Sequence, residues 1–349
     1  ELHEDGQEIS VVRAALVRTA RKIMRGELHL PSYVFPSLAQ ETIVPQELAN
    51  HFPQQEVKII VPTSAGGGND TMARIITRKI GPLLGHTVSV DNRTGAHGSV
   101  AAEYVTASAP DGHTLLSAFS SQILQPHVLK SVPFDNQRDF TPILEAARAP
   151  IAIVVNPALP VQSMKELMAY AKANPGKVGY VTAGSNTSQH LTGLMLEKVT
   201  GAQLIHVSYK GGGPALTDLL GGQVQMGILV LGPIMQHVQS GKLRALAVIE
   251  SSRAKAAPQI PTLEEAGFGG ATMPDTWIGY FGPRGLSAPI TRQLNGWIQQ
   301  ASQANDVRPR LEAAGYEVGG GTPEQFVDKI RQTNDNYRRI VAAADIKPE

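Results

Sequence analysis

A chain of 349 residues, 42% hydrophobic and 17% charged, has the profile of a soluble globular protein long enough for two domains. Its 31 basic and 30 acidic side chains leave a net charge of +1, which argues against a broad nucleic-acid surface. It holds no cysteine, so disulfides, thiolate nucleophiles and cysteine-bound metals are excluded.

No apolar run approaches the roughly 20 residues of a membrane helix, and no signal-type apolar stretch opens the chain. Residues 1–55 read as an extension unlike the rest: a basic helix over Ile9–Arg25, then a proline-spotted linker from Pro31 to Pro53. From Val57 the chain alternates. Strands are expected at Val57–Val61, Thr87–Val90, His113–Ala118, Ile151–Val155, Val178–Thr182, Leu204–Val207, Val224–Val230 and Leu243–Ile249. Helices are expected at Thr71–Leu84, Ser99–Ser108, Ser163–Asn174 (with a capping box at Ser163 and Glu166), from Ser188 to about Val199, at Pro214–Leu220 and around Pro323–Ala344. This order predicts an α/β fold with largely parallel sheets.

Three places share one design, a strand followed by small residues and then a helix: Thr63–Thr71, Ala183–His190 and Tyr209–Ala215. The first four N–H groups of a helix lack partners inside it, and the macrodipole adds positive charge there. Glycines such as Gly66, Gly67 and Gly68 let bare backbone approach a guest, so each loop is a candidate anion site. Each is equally a plain helix cap with a tight turn. Ser64, Ser185, Thr187 and Ser188 offer hydroxyl donors, and Asp70 is expected to cap the helix at Thr71. A nucleotide phosphate does not suit the first loop. Asn69-Asp70 follows Gly68 where a Walker loop has Lys-Ser/Thr, and the G-x-G-x-x-G spacing fails. No nucleophile elbow stands at a strand end, no His-Glu-x-x-His occurs, and no histidine pairs with carboxylates at a metal spacing, so neither metal nor cofactor is expected. His190, early in its helix, is either an anion donor or base or a satisfied structural histidine.

The ordered set Ile60-Val61-Pro62, Ala65 to Asp70, Asp91 to Gly98, Pro110 to Leu115, Gly184-Ser185 with His190, His206 to Gly212, Leu219 to Val224, Pro261 to Gly267 and Trp277 resembles the periplasmic solute receptors of tripartite tricarboxylate transporters, the Bug family. The resemblance runs from about Val57 to the C-terminus. It implies a two-lobed, type II-like periplasmic binding-protein fold that closes on a small organic carboxylate and delivers it to membrane permease subunits. It implies lobe 1 at 56–153 and 276–349 and lobe 2 at 154–275, with crossings near Val154–Pro157 and Met273–Trp277. It carries ligand contacts onto Ser64, Ala65, Gly66, Gly67, Gly68 and Asp70; onto Phe119, Ser120 and Ser121; and onto Gly184, Ser185, Thr187, Ser188 and His190, with Tyr209 and Leu229 completing the set. A periplasmic monomer is the expectation, with no nucleic-acid partner.

Two departures shape the expected ligand. Leu229-Val230 stand where the family commonly has aspartate-asparagine, which disfavours an amino-acid ligand. Phe119 and Leu229 make the pocket apolar, as suits an aliphatic diacid or an aromatic acid. Two other readings stand beside the receptor: an α/β enzyme on a small acid with His190 as acid or base, and a sensing lobe for a signalling partner.

Overall fold

The computed structural model describes residues 3–5, 8–10 and 52–348. Strands β1 (His3–Asp5) and β2 (Glu8–Ser10) pair antiparallel, Glu4 opposite Ile9. Ile9 and Ser10 therefore lie in a strand rather than in the helix expected there. The rest of that helix, and the linker up to His51, lie outside the described residues.

Beyond the β1–β2 pair, eleven strands among the described residues form two sheets built around a hydrophobic core. The six-stranded sheet has the order β13-β6-β12-β5-β3-β4. Its members are β3 (Val57–Val61), β4 (Val88–Asn92), β5 (Thr114–Phe119), β6 (Phe140–Arg148), β12 (Trp277–Pro283) and β13 (Glu317–Val318). The five-stranded sheet has the order β11-β7-β10-β8-β9, from β7 (Ile151–Val155), β8 (Val178–Thr182), β9 (Leu204–Ser208), β10 (Met226–Val230) and β11 (Arg244–Val248).

Helices α1 (Gly68–Leu84), α2 (Ser99–Thr106), α3 (Ser121–Val128), α8 (Ala288–Gln303), α9 (Arg308–Ala313) and α10 (Pro323–Ala344) accompany the first sheet in sequence. Helices α4 (Met164–Ala173), α5 (Ser188–Thr200), α6 (Gly212–Leu220) and α7 (Leu231–Gln239) accompany the second.

The sheets are mixed rather than largely parallel. β3 runs parallel to β4 and β5, and β8 to β9 and β10, but β7 is antiparallel to β10 and β12 to β5. The reason is where these strands start. β7 and β12 each begin just after the chain passes from one sheet to the other, so they run away from the ends toward which β3, β5, β8, β9 and β10 run. β7 belongs wholly to the second sheet, so the chain leaves the first sheet between Arg148 and Ile151, before the expected Val154–Pro157. It returns between Met273, bridged to Glu250, and Trp277. The two connections bond to each other, Ala149 N–H donating to Thr276 O at 2.8 Å. Arg148 adds ion pairs to Asp275 at 2.9 Å and Glu317 at 3.0 Å.

The C-terminal helix α10 starts with a full capping box, Thr322 and Gln325 bonding reciprocally. Trp277, fully buried, anchors it: the indole N–H donates to Thr333 at 3.0 Å, and Phe326 packs edge-on at 5.2 Å. Burying such an aromatic contributes about 1.5–3 kcal/mol, and it fixes α10 against the first sheet.

Candidate functional site

A cavity of about 270 Å³ opens where the two sheets meet. It sits at the C-terminal ends of β3, β5, β8, β9 and β10, with Ile151 and Thr276, at the starts of the returning strands, in its wall. That is where open α/β sheets hold ligands. The helices α1, α3, α5 and α6 begin in its lining, at Gly68, Ser121, Ser188 and Gly212, while α7 contributes Pro233 and Ile234 and spends its Leu231 N–H on Pro150 O. Their first N–H groups make the site favourable to anions. None of the lining residues is acidic; His97 and Lys210 are the basic ones.

The first loop is fixed by a buried carboxylate. The helix α1 starts at Gly68, earlier than the expected Thr71, so Asp70 lies in its first turn and is not its N-cap. Asp70 accepts Gly66 N–H at 3.0 Å, Arg74 through Nε at 3.0 Å and Nη2 at 2.9 Å, and Asn92 at 2.9 Å. Burial alone would raise its pKa, but the hydrogen bonds from Arg74, Gly66 and Asn92 outweigh it and hold the carboxyl below its ordinary value. Asn69, also buried, exchanges two 2.6 Å bonds with Ser117 and ties α1 to β5. Gly66, at φ +79°, makes the turn that brings its N–H back to Asp70.

The glycines serve a close approach between the two sheets' loops. A Cβ on Gly68 would lie 2.9 Å from Val230 and 3.3 Å from Phe119. One on Gly213 would lie 2.5 Å from the carbonyl oxygen of Ala65, and one on Gly67 3.4 Å from the nitrogen of Gly212. Ser64 N–H donates to Lys210 O at 3.1 Å across this seam. His97, held at φ +58°, adds a 3.1 Å contact from Nδ1 to Ser185 O. A carbonyl only accepts, so His97 carries its proton on Nδ1 here.

The second loop is fixed by neutral groups. Thr187 caps α5, accepting His190 N–H at 3.2 Å and donating to Gly184 O at 2.8 Å. Gln189 accepts Ala183 N–H at 2.7 Å. His190 Nδ1 accepts Asn186 N–H at 3.2 Å, and its ring stacks on His206 with centroids 4.0 Å apart. Burial, helped by neighbouring His190, pushes His206 down to about 4.

Of the residues expected to contact ligand, Gly67, Gly68, Phe119, Ser121 and Tyr209 line the cavity, as do Gly184, Ser185, Thr187, Ser188 and Leu229. Ser64, Ala65, Gly66 and Asp70 are not among the lining residues: Ala65 and Gly66 are exposed and Asp70 is buried. Ser120 is buried against Tyr337, 3.5 Å from its hydroxyl, and that phenol is pushed up to about 12 by burial. His190 supports the loop from behind and is not among the lining residues. Sequence reading missed Ile151, Thr276, Pro233 and Ile234, because their place depends on where the chain crosses between sheets. It also missed Gln122, Gln125 and Lys210. His97 was within reach: a histidine inside Gly-Ala-His-Gly is a position for left-handed backbone.

Comparison with known proteins follows the same lines. Residues 72–346 match the tripartite tricarboxylate transporter family receptor, TctC. The chain belongs to this family. The TctC receptor described here is 34% identical over 301 residues to the protein BugT of Bordetella pertussis, covering 86% of this chain and 92% of that one. A protein of R. palustris, Rpa4515, solved with adipate, superposes with a TM-score of 0.81 at 29% identity, covering 85% of this chain and all of that one. MatC from Rhodopseudomonas palustris, solved with bound malate, gives 0.78 at 28% identity, over 83% and 100% of the chains. The two-sheet α/β architecture of this receptor is thus that of periplasmic binding proteins.

Proposed function

We propose that this TctC receptor is an extracytoplasmic, non-enzymatic protein that closes on a small organic carboxylate and presents it to the membrane subunits of a tripartite transporter. One observation carries the reading: four helix N-termini converge on one cavity whose lining holds apolar side chains and no acidic residue. A carboxylate there meets oriented N–H groups instead of a competing negative charge. The adipate and malate of its structural neighbours are acids of the same class.

In this reading residues 52–148 with 277–348 form one lobe and 151–273 the other, joined by the paired segments at Ala149 and Thr276. Ligand favours the closed arrangement only by its greater affinity for it. The Ser64–Lys210 and His97–Ser185 bonds hold that arrangement once formed. His190, committed to Asn186 and His206, supports a binding role rather than acid–base chemistry.

A thermal-shift screen against dicarboxylates, tricarboxylates and aromatic acids tests this, with phosphate and sulfate as controls. A ligand at 100 times its Kd that binds only the folded protein adds about 2.7 kcal/mol of stability. A selective shift with carboxylates is the expected result; a shift with phosphate or sulfate alone contradicts the reading.

A further inference from the structure

The cavity lining also holds polar atoms that no other part of the chain serves. Among the described residues, Thr63 Oγ1 and Gln125 Oε1 are both buried and have no hydrogen-bond partner. Thr63 follows β3, and Gln125 lies on α3 and is only 5% exposed. They share one corner of the first sheet's side: a Cβ on Gly98 would lie 3.2 Å from Pro62, the neighbour of Thr63, and 3.9 Å from Gln125 Nε2. Leaving such atoms unpaired is costly, so the corner is built for a polar guest.

The two atoms make different demands. The Thr63 hydroxyl can donate or accept. The Gln125 amide has no such choice: its Nε2 donates to His97 O, and a carbonyl receives only a donor, so the oxygen is the end left over. His97 in turn reaches Ser185 O across the seam at 3.1 Å, which anchors this amide to the loop that meets the other sheet.

An oxygen that only accepts does not suit a carboxylate, which also only accepts. The acid groups therefore belong at the helix starts, and another part of the guest meets Gln125. An ammonium there would lack a counter-charge, since no acidic residue lines the cavity. A hydroxyl suits both atoms, because it donates to Gln125 Oε1 and can accept from Thr63. Phe119 and Leu229 are left to face the carbon chain.

Resting on the carboxylate reading above, we infer that Gln125 is a specificity-determining residue whose amide oxygen accepts a hydroxyl on the carbon body of the bound acid. The cleft then prefers hydroxy acids to their plain analogues, because a plain acid leaves the acceptor buried and unpaired.

Titration calorimetry of the wild-type protein with three matched pairs tests it: succinate and malate, glutarate and 2-hydroxyglutarate, tricarballylate and citrate, with each chiral acid as both enantiomers. Within each pair that binds, the hydroxy acid, in at least one enantiomer, is expected to bind roughly 10- to 100-fold tighter. Gln125→Leu, with its fold checked by a melting curve, is expected to bring that ratio close to one by weakening the hydroxy acid. Loosening of His97 alone would weaken both members of a pair alike and leave the ratio unchanged. Equal affinities within the wild-type pairs, a preference for the plain acid, or a ratio that persists in Gln125→Leu overturns this inference and leaves the carboxylate reading standing. No binding by any of the six acids overturns both.

Discussion

The loops Thr63–Asp70 and Ala183–His190 look alike as sequence, a strand, small residues and a helix start, yet they are held by different physics. The first is clamped by charge: Asp70 gathers Gly66, Arg74 and Asn92 around one carboxylate. The second is clamped by neutral groups: a threonine cap, a glutamine carbonyl and two stacked imidazoles. Their glycines differ as well. Gly68 faces another sheet's side chain at 2.9 Å, whereas the nearest atom to a Cβ on Gly184 is Thr187 Cγ2 at 3.6 Å. One pattern therefore covers a glycine that the tertiary contact demands and a glycine with room to spare.

The largest contrast should come from placing the same methyl group in both loops. Gly68→Ala should cost about 1–3 kcal/mol by overpacking against Val230 and Phe119, with a marked loss of carboxylate affinity. Gly184→Ala should stay within about 0.5 kcal/mol, as for a substitution without a structural conflict. Denaturant melts and calorimetry on the two variants decide this, and equal effects would erase the distinction.

Asp70→Ala comes next. It removes the acceptor of Gly66 N–H, Arg74 and Asn92, and losing hydrogen bonds to a charged group costs about 1.5–3 kcal/mol. Its pH signature follows from the direction of the shift. Asp70 is held below its ordinary 3.8, so the folded protein binds its proton less readily than the unfolded chain does. The contribution is present above that value and is lost as pH falls through the lower folded one. Melting temperatures of Asp70→Ala and wild type should converge at strongly acid pH.

The smallest effect separates the loops by pH window. His206 sits at about 4 against an ordinary 6.5, so the unfolded chain binds its proton first on acidification. Stability supplied by the neutral ring is complete above pH 6.5 and declines as pH falls from there toward 4. In His206→Asn the decline over that window should shrink, while the Asp70 transition further into acid remains. A decline unchanged by His206→Asn would mean that other groups cause it.

The sequence by itself determined much of the alternation of strands and helices from Val57 onward, because apolar periodicity and glycine punctuation are local, but it did not mark β6, β12, α3, α7, α8 or α9. It determined the three helix-start loops and the ordered motifs that mark the family. Capping at Ser163 and the start of α10 were likewise legible, since a cap and its partner lie three residues apart. Only the tertiary structure decided the role of Asp70, because its choice between capping α1 and holding Arg74 depends on Asn92, twenty-two positions away. Only the tertiary structure turned His190 toward His206 and away from the cavity, brought Gly213 against Ala65, and set Ile151 beside Val230. These are contacts between segments distant in sequence, fixed by where the chain crosses from one sheet to the other, and no local pattern encodes that crossing.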